Sequence, residues 1–415
     1  MAIKILIGGS PCTYWSIAQT NNRETKAEGM GWELFKNYLI AKEKFKPDFF
    51  LYENNRSASQ AIKDQIAAEL GVGTAPDVRF THINSALVSA QNRQRFYVTN
   101  FGDIKQPEDR GILLRDILET GQDLTSNDKA YCLTASYDGE CAWNTIERAQ
   151  RSMVTEPIRI PEYGNNDKSR PVRASYAYKG SGEGSLRTEA FPDNPNKQVS
   201  DYVAEPLYIG AVPENNGTYL VDEPMRVLGY ATPCEWDDNG KPTKAISCAD
   251  GKEYTVYEVI DGQITIKGKQ YPIKLVDGYY IIRKLTVTEC CRLQTLPDDY
   301  CRAVSNSQAY KALGNGWTAE VIIHLLNQAL KDVPRDEEIV VLSLYDGIAT
   351  GRYCLEKMEF TNVKYHAYEI DKYSIQVAMD NYPDIIQHGD AFAARDDDWK
   401  PPQTRSEWLD ELLGV

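Results

Sequence analysis

The chain has 415 residues, 42% of them hydrophobic and 26% charged, which indicates a globular protein too long for one ordinary core, so two domains are expected. Its net charge of −14 argues against a protein that coats nucleic acid without sequence preference. The negative charge is concentrated in residues 331–415, which hold 18 Asp and Glu against 9 Lys and Arg, so a basic groove is compatible with the rest of the chain. No apolar run approaches the roughly 18 residues of a membrane span, and the N-terminus does not resemble a signal peptide, so we expect a soluble intracellular protein. The 9 cysteines include no C-x-x-C pair, so we expect reduced thiols and no metal site.

The first hundred residues alternate between apolar runs and amphipathic segments. The pattern predicts strands at 3–8, 48–53 and 95–101, and helices at 30–44 and 57–71. The second helical segment begins with a serine at a capping position and ends in glycine. This alternation is typical of a parallel sheet with helices on both faces.

Residues 106–283 have a different composition, rich in Gly, Asn, Asp, Pro and Ser. Short β-type runs at 254–259, 263–268 and 278–283 replace the helices. The segment is therefore interpreted as an inserted, loop-rich β domain.

After residue 284 the α/β pattern resumes. Thr286 and Glu289 fit a capping box that opens a helix, and further helices are predicted at 317–331 and near 405–413. Residues 339–358 predict a strand, a glycine turn and a helix, and the runs VKYHAYEID and DIIQHGDAF each predict a strand followed by an acidic residue.

The loop at 345–351 and two carboxylates indicate a nucleoside-type cofactor. Glycines let the backbone approach a ligand closely, and the start of the following helix offers free N–H groups. Glu369 ends the next strand, where a carboxylate can hold both ribose hydroxyls, and Asp390 ends the third, where it can reach an adenine amino group. The glycine spacing is not that of a dinucleotide site, and no basic residue is placed for a pyrophosphate, so S-adenosylmethionine fits better than NAD.

A single thiol, Cys12, follows the first strand in a Gly-Gly-Ser-Pro turn. Alone it is as well explained as a buried filler, and Glu53 alone as part of a surface bend. Both, however, end neighbouring strands at the carboxyl edge of the predicted sheet, and Arg93 and Arg95 precede the strand at 95–101. A thiol, a carboxyl group and arginines at one edge together indicate covalent catalysis.

Six sequence blocks resemble those of DNA (cytosine-5) methyltransferases. The blocks are GGSPC (8–12), EN (53–54), QNRQR (91–95), RKLTVTECCRLQTLPDDY (283–300), SNSQAYKALGN (305–315) and LSLYDGIATG (342–351). The last of these resembles the cofactor block, and its sequence, together with GMGWELF at 29–35, is most similar to that of the animal de novo enzymes. Their order is rotated relative to the common arrangement, with the Pro-Cys block first and the cofactor block last, so the resemblance implies a circular permutation.

The resemblance implies an α/β fold: a Rossmann-like, S-adenosylmethionine-dependent methyltransferase sheet in permuted order, with an inserted β-rich target-recognition domain. It implies a catalytic domain in two parts, 1–105 and 284–415, and target recognition by 106–283. Cys12 would add to carbon 6 of a flipped cytosine, Glu53 would contact ring N3 and the exocyclic amine, Arg95 the base carbonyl, and Arg93 a phosphate or the loop. The polar segment 13–30 would close over the base.

The resemblance also implies residues that contact ligands. Those expected at the cofactor are Pro11, Asn315, Trp317, Tyr345, Asp346, Gly347, Ile348, Ala349, Thr350, Glu369, Ile370, Asp390 and Ala391. Those expected at DNA are Ser10, Thr13 and Ser16 near the nucleophile and, from a basic cluster in the insert, Arg148, Arg151, Arg170, Arg173 and Lys179.

Four positions depart from the family pattern. Thr13 stands where Gln is common, and Asn55 replaces the Val that usually follows Glu-Asn. Trp317, after Gly316, stands where Val is usual, and Tyr345 replaces a Phe. None of these changes removes a catalytic atom, but they put in doubt the details of base flipping and the shape of the cofactor site.

Three other functions share parts of this pattern. A tRNA cytosine-5 methyltransferase would have the same catalytic residues, and the large insert favours duplex DNA over it. A DNA enzyme that transfers an altered group from a related donor, and a non-catalytic DNA-binding relative, are the other two; the intact set of Cys12, Glu53, Arg93 and Arg95 disfavours the last. We expect a monomer that acts on double-stranded DNA in the cytoplasm of a bacterial or phage-infected cell.

Overall fold

The computed structural model describes residues 2–16, 23–139, 142–158, 211–213, 219–221, 229–397 and 399. The chain divides into two compact units. The first comprises 1–154 and 284–415, and the second comprises 155–283. Residues 106–154, which the sequence analysis assigns to the insert, thus fall in the first unit.

The regular elements of the described residues are numbered in chain order. The strands are β1 (Ile3–Gly8), β2 (Phe49–Asn55), β3 (Arg79–Asn84), β4 (Gln94–Thr99), β5 (Gln122–Asp123), β6 (Met153–Pro157), β7 (Ala211–Pro213), β8 (Tyr219–Val221), β9 (Thr232–Trp236), β10 (Pro242–Ile246), β11 (Glu253–Ile260), β12 (Gln263–Ile266), β13 (Lys269–Pro272), β14 (Gly278–Lys284), β15 (Ile339–Leu344), β16 (Val363–Tyr368) and β17 (Ile386–Gln387). The helices are α1 (Met30–Phe45), α2 (Gln60–Leu70), α3 (Leu114–Ile117), α4 (Ala142–Arg148), α5 (Val287–Leu293), α6 (Asn306–Asn315), α7 (Ala319–Leu330), α8 (Thr350–Lys357) and α9 (Lys372–Asn381).

The first unit is built on a seven-stranded sheet in the order β17-β16-β15-β1-β2-β4-β3. The chain's first strand lies in the middle of the sheet: β1 pairs in parallel with β15 on one side and with β2 on the other. β15, β16 and β17 continue the parallel arrangement. The expected α/β sheet is therefore confirmed.

The expectation of an all-parallel sheet is wrong at one edge. The strand predicted at 95–101 is β4, which runs antiparallel to both β2 and β3. The connection from β3 to β4 is too short for a parallel crossover, which needs a dozen or more residues, so the chain can only turn back. The sequence analysis missed β3 itself, whose burial pattern is irregular.

Local signals explain how several helices begin and end. The Ser59 hydroxyl accepts a hydrogen bond from the Ile62 amide at the start of α2, and Gly71 ends this helix with a φ of 95°. At α5, Thr286 and Glu289 form the expected reciprocal capping box. The glycine end of α2 and the capping box of α5 agree with the sequence predictions, whereas the cap expected at Ser57, where the predicted segment begins, is formed by Ser59 instead.

Hydrophobic clusters cover both faces of the sheet. Side chains of β1 alternate between them, with Ile5 and Ile7 in one cluster and Leu6 in the other. Phe35 of α1 packs on the Leu6 side, and Leu325 of α7 packs on the other. Burial on both faces explains why β1 and β15 are almost continuously apolar.

The second unit has the antiparallel strands expected from its short β-type runs. β11 pairs with β12 and with β14, β12 pairs with β13, and β9 and β10 extend the sheet beside β11. Glu156 and Arg283 form a fully buried ion pair, with 2.5 Å between Oε1 and Nε, and the Ser247 hydroxyl donates to the same oxygen over 3.0 Å. Such a pair is satisfied only while both partners are present.

The helix expected near 405–413 lies outside the described residues. The short segment 331–338 between α7 and β15 is made of turns, with Asp332, Pro334 and Asp336 exposed, as a polar connection requires.

Within the described residues, no helix has the length and apolar character needed to cross a membrane.

Candidate active site

A cavity of about 480 Å³ lies at the carboxyl ends of the parallel strands in the first unit. This is the edge where open α/β sheets bind ligands. It brings together most of the residues that the sequence singled out. They are Ser10, Pro11, Thr13, Glu53, Arg93, Arg95, Asn315, Trp317, Tyr345, Asp346, Gly347, Thr350, Glu369, Ile370, Asp390 and Ala391.

Other expected site residues lie elsewhere. Ile348 and Ala349 are buried in the core beneath the glycine loop and do not line the cavity, and the Tyr300 hydroxyl donates to the Ile348 carbonyl over 2.9 Å. Ser16 accepts from the Asn55 side-chain amide at the end of β2 over 3.4 Å.

The basic residues expected at DNA are placed only in part. The Arg148 guanidinium stacks over the Trp143 ring at 4.7 Å, and Arg151 donates to the Ser136 hydroxyl over 2.8 Å. Both lie in the first unit. The remaining three, Arg170, Arg173 and Lys179, lie outside the described residues.

The turn after β1 is fixed to the end of β2. Asn54 donates from Nδ2 to the Ser10 carbonyl over 2.9 Å, and the Ser10 and Tyr52 hydroxyls share a 2.7 Å hydrogen bond. A side chain on Gly9 would place its Cβ 2.4 Å from the Glu53 carbonyl oxygen, so only glycine fits. The backbone then begins a single 3₁₀ turn at Cys12, whose side chain lies outside the described part of the structure.

Glu53 is held at both carboxylate oxygens. Oε1 lies 2.8 Å from Arg95 Nε, and the side chains of this ion pair are each 11% exposed. Oε2 accepts a hydrogen bond from the Trp317 indole over 3.1 Å. The carboxylate is therefore oriented by two donors from distant parts of the sequence and retains lone pairs for a ligand.

Arg93 is buried and serves the protein's own backbone. Its guanidinium donates to the carbonyls of Leu133, Gly314 and Gly316 over 2.9, 3.2 and 2.7 Å. These three contacts anchor Arg93 to backbone outside the polar segment 13–30.

Cys132 is connected to the site through Arg93, and no motif in the sequence singled it out. Arg93 donates to its Sγ over 3.4 Å. Burial raises the pKa of the Cys132 thiol, but the positive charges of Arg93 and Arg95 outweigh it, so the pKa is lowered overall. Nothing in the local sequence signals this proximity, which arises from packing.

The loop between β15 and α8 has an unusual backbone. Tyr345, Gly347 and Ala349 have φ values of 61°, 63° and 61°, in the region that favours glycine. The Gly347 amide donates to Glu369 Oε2 over 2.8 Å, and the Ile370 amide donates to Oε1 over the same distance. The loop thus curls around the carboxylate that was expected to hold a ribose.

Asp346 points a carboxylate at this loop. Its Oδ1 accepts from the Ser343 and Tyr365 hydroxyls, both over 2.6 Å, whereas the inaccessible Oδ2 has no hydrogen-bond partner among the described residues. Burial raises the pKa of Asp346 to about 6. The Oδ2 atom is thus buried in the wall of the cavity and is not exposed to a ligand in this conformation.

Two further contacts lie in the part of the cavity where a cofactor is expected. Asp390 accepts from the Phe392 amide over 3.0 Å and caps a short 3₁₀ helix. The Tyr345 hydroxyl donates to the Leu34 carbonyl over 2.7 Å, which fixes its ring against α1.

The segment that follows the Pro-Cys turn is anchored on both sides of residues 17–22, which are not described. Glu24 accepts from the Trp15 indole over 3.1 Å and from the Gly31 amide over 3.1 and 3.2 Å. Arg23 donates to the Ser57 carbonyl over 2.6 Å.

Comparisons with known proteins agree with the motifs. A family model described as C-5 cytosine-specific DNA methylase matches residues 1–331. The orphan methyltransferase M.SPRI of Bacillus phage SPR is 25% identical over 376 residues, which make up 79% of this chain and 82% of that protein. Similar solved structures include the Entamoeba histolytica methyltransferase EhMeth (TM-score 0.38, 11% identity, 80% of this chain and 78% of that one) and the S. pombe Dnmt2 methyltransferase (TM-score 0.32, 11% identity, 79% and 77%). Because the family model spans well over half of the sequence, the chain belongs to the C-5 cytosine-specific DNA methylase family.

Proposed function

We propose that this protein transfers a methyl group from S-adenosylmethionine to carbon 5 of a flipped-out cytosine in duplex DNA, through a covalent adduct on Cys12. The observation that carries the proposal is the shared cavity. It joins the Glu53–Arg95 pair and the turn that leads to Cys12 with the acidic loop ends at Asp346 and Glu369.

The cofactor half of the cavity suits S-adenosylmethionine, which supplies a methyl group activated on a sulfonium. Gly347 leaves open space where another residue would place a Cβ, so a ligand can approach the backbone. Glu369 and Asp390 are the expected partners of the ribose and adenine, and Asp346 lines the same cavity. Tyr345 keeps an aromatic ring at the family position for stacking.

On the base side, the chain's own residues activate carbon 5. The Cys12 thiolate forms a bond to carbon 6, and the electron pair of the 5,6 double bond raises the electron density at carbon 5. Glu53, held by Arg95, accepts a hydrogen bond from the exocyclic amine and shares a proton with ring N3, so that the ring is protonated as the thiolate adds; the proton returns to Glu53 when the thiolate leaves. After carbon 5 has been methylated, loss of its proton and expulsion of the Cys12 thiolate restore the aromatic ring.

Duplex DNA is favoured over tRNA by the second unit. Its antiparallel strands lie in the insert, where sequence recognition is expected, and the matching family is described as acting on DNA. The phage origin of M.SPRI supports a role in a bacterial or phage-infected cell. Transfer of an altered group and a non-catalytic role are the alternatives, and the intact Glu53–Arg95 pair favours catalysis.

We also propose that the chain is a circular permutation of the common arrangement. In support, its first strand occupies the centre of the sheet, β15–β17 follow beside it, and the family match ends at residue 331, before β15. Joining residue 415 to residue 2 and reopening the chain within 332–337 should give an active enzyme. A product that does not fold would count against the permutation.

Tritium transfer tests the substrate and the chemistry together. Labelled S-adenosylmethionine is offered with unmethylated mixed-sequence duplex DNA or with tRNA, and label is expected in DNA alone. Duplex DNA containing 5-fluorocytosine should trap the wild-type protein in a complex that survives denaturation, while Cys12→Ser should not be trapped. Label in tRNA alone, or trapping of the serine variant, would contradict the proposal.

A further inference from the structure

Trp317 links the two halves of the cavity. Its indole Nε1 donates to Glu53 Oε2 over 3.1 Å, although the two residues lie 264 positions apart in sequence. Arg95 occupies the other carboxylate oxygen at 2.8 Å. Without the indole, rotation of the Glu53 carboxylate about its terminal bond would be restrained by Arg95 alone.

The backbone that carries Trp317 is rigidly held. Arg93 donates to the carbonyls of Gly314 and Gly316, on the N-terminal side of the indole. On the other side, the Thr318 hydroxyl donates to Gln294 Oε1 over 3.0 Å. The indole therefore extends from a turn whose polar groups are bonded within a buried network, which is what a positioning side chain requires.

The same turn lies against the cofactor loop. A Cβ on Gly316 would lie 3.8 Å from the Ile348 side chain, in ordinary van der Waals contact. Trp317 and Gly347 line one cavity. A residue in this place can hold Glu53 without being the group that binds the cofactor's ribose or adenine.

Resting on the proposed function, we propose that Trp317 is a positioning residue, whose indole N–H fixes the Glu53 carboxylate in the orientation that meets the flipped base. The hydrogen bond from the indole to the carboxylate already exists in the free enzyme. Keeping it when the base binds therefore costs little free energy, because the donor is already in place. Arg95 and Trp317 then act as a pair, one on each oxygen.

Trp317→Phe tests this inference, because it removes the N–H and keeps an aromatic ring in the cavity. Loss of one hydrogen bond to a charged group predicts a roughly 10-fold slower formation of the 5-fluorocytosine adduct and a similar fall in kcat. Calorimetry with S-adenosylhomocysteine measures separately any contact of the Trp317 ring with the cofactor, and the loss of affinity should be smaller than the loss of rate, because Phe keeps an aromatic ring in the cavity.

Glu53→Gln provides the matched background. If Trp317 acts through the carboxylate, adding Trp317→Phe to Glu53→Gln should slow adduct formation by less than about 2-fold. Fully multiplicative effects, or a loss of S-adenosylhomocysteine affinity equal to the loss of rate, would overturn the inference. If the wild-type protein forms no adduct and transfers no label, the proposed function fails and this role fails with it.

Discussion

Asp346→Asn should change how stability depends on pH, because the folded protein holds the Asp346 proton unusually tightly. Burial raises the pKa of this carboxyl from 3.8 to about 6 in the folded state. The proton is therefore bound more strongly in the folded than in the unfolded chain. The stabilisation that protonation brings is complete below about pH 4 and is lost as the pH rises to about 6.

The shift of roughly two pH units corresponds to about 3 kcal/mol of unfolding free energy. In the Asn variant, the oxygen can still accept from Ser343 and Tyr365, and the amide that replaces Oδ2 does not titrate in this range. Any cost of leaving that amide unpaired is independent of pH. The difference in stability between variant and wild type should therefore move in favour of the variant by about 3 kcal/mol between pH 4 and pH 8.

Urea unfolding of the two proteins without ligand, followed by tryptophan fluorescence from pH 4 to pH 8, measures this difference. Ser343→Ala is the companion variant. It removes a hydroxyl that lowers the pKa of Asp346, so it should shift the pH-dependent loss of stability to higher pH. Parallel stability curves for wild type and Asp346→Asn would refute the reasoning, because they would show that the carboxyl titrates alike in both states.

Three other substitutions have expected outcomes. Asn54→Ala removes the side chain that holds the Pro-Cys turn, and urea unfolding should show a loss of about 1–3 kcal/mol; an unchanged midpoint would contradict that anchoring role. Gly9→Ala should destabilise the protein and slow 5-fluorocytosine trapping at least 10-fold, since the new Cβ would clash with Glu53; the modest stabilisation usual for a Gly→Ala change would show that the turn can move aside. Arg283→Met should cost about 3–5 kcal/mol by leaving the buried Glu156 carboxylate without the positive charge of Arg283, and adding Glu156→Leu should recover most of it; urea unfolding showing two additive losses would contradict this account.

The sequence predicted features that depend on short-range patterns or on general rules of topology. Strand β1 and helix α2 follow from apolar runs and a local cap, and the position of Glu369 follows from the rule that parallel strands present their carboxyl ends at one edge. The direction of β4 was predicted wrongly, because it depends on β3, whose side chains do not alternate cleanly between buried and exposed. No local signal in the sequence predicted that β4 runs antiparallel to its neighbours at this edge of the sheet.

Contacts between distant residues were beyond the reach of the sequence. The motifs placed Glu53 in the EN block and Trp317 two positions after the SNSQAYKALGN block, with different expected partners, and only the three-dimensional fold brings the indole to the carboxylate. Cys132 was overlooked for the same reason. It belongs to a loop without regular structure, and its lowered pKa depends on guanidinium groups contributed by another segment.

These long-range contacts connect the residues of the cavity in one continuous series. Arg93 holds the carbonyls on the N-terminal side of Trp317, Trp317 holds Glu53, and the backbone of Glu53 packs against Gly9 in the turn that leads to Cys12. Each contact is short and mostly buried, so displacement of one member is transmitted to the next rather than absorbed. Substitutions at the two ends of this series should therefore be coupled, even though Arg93 and Gly9 perform different local tasks.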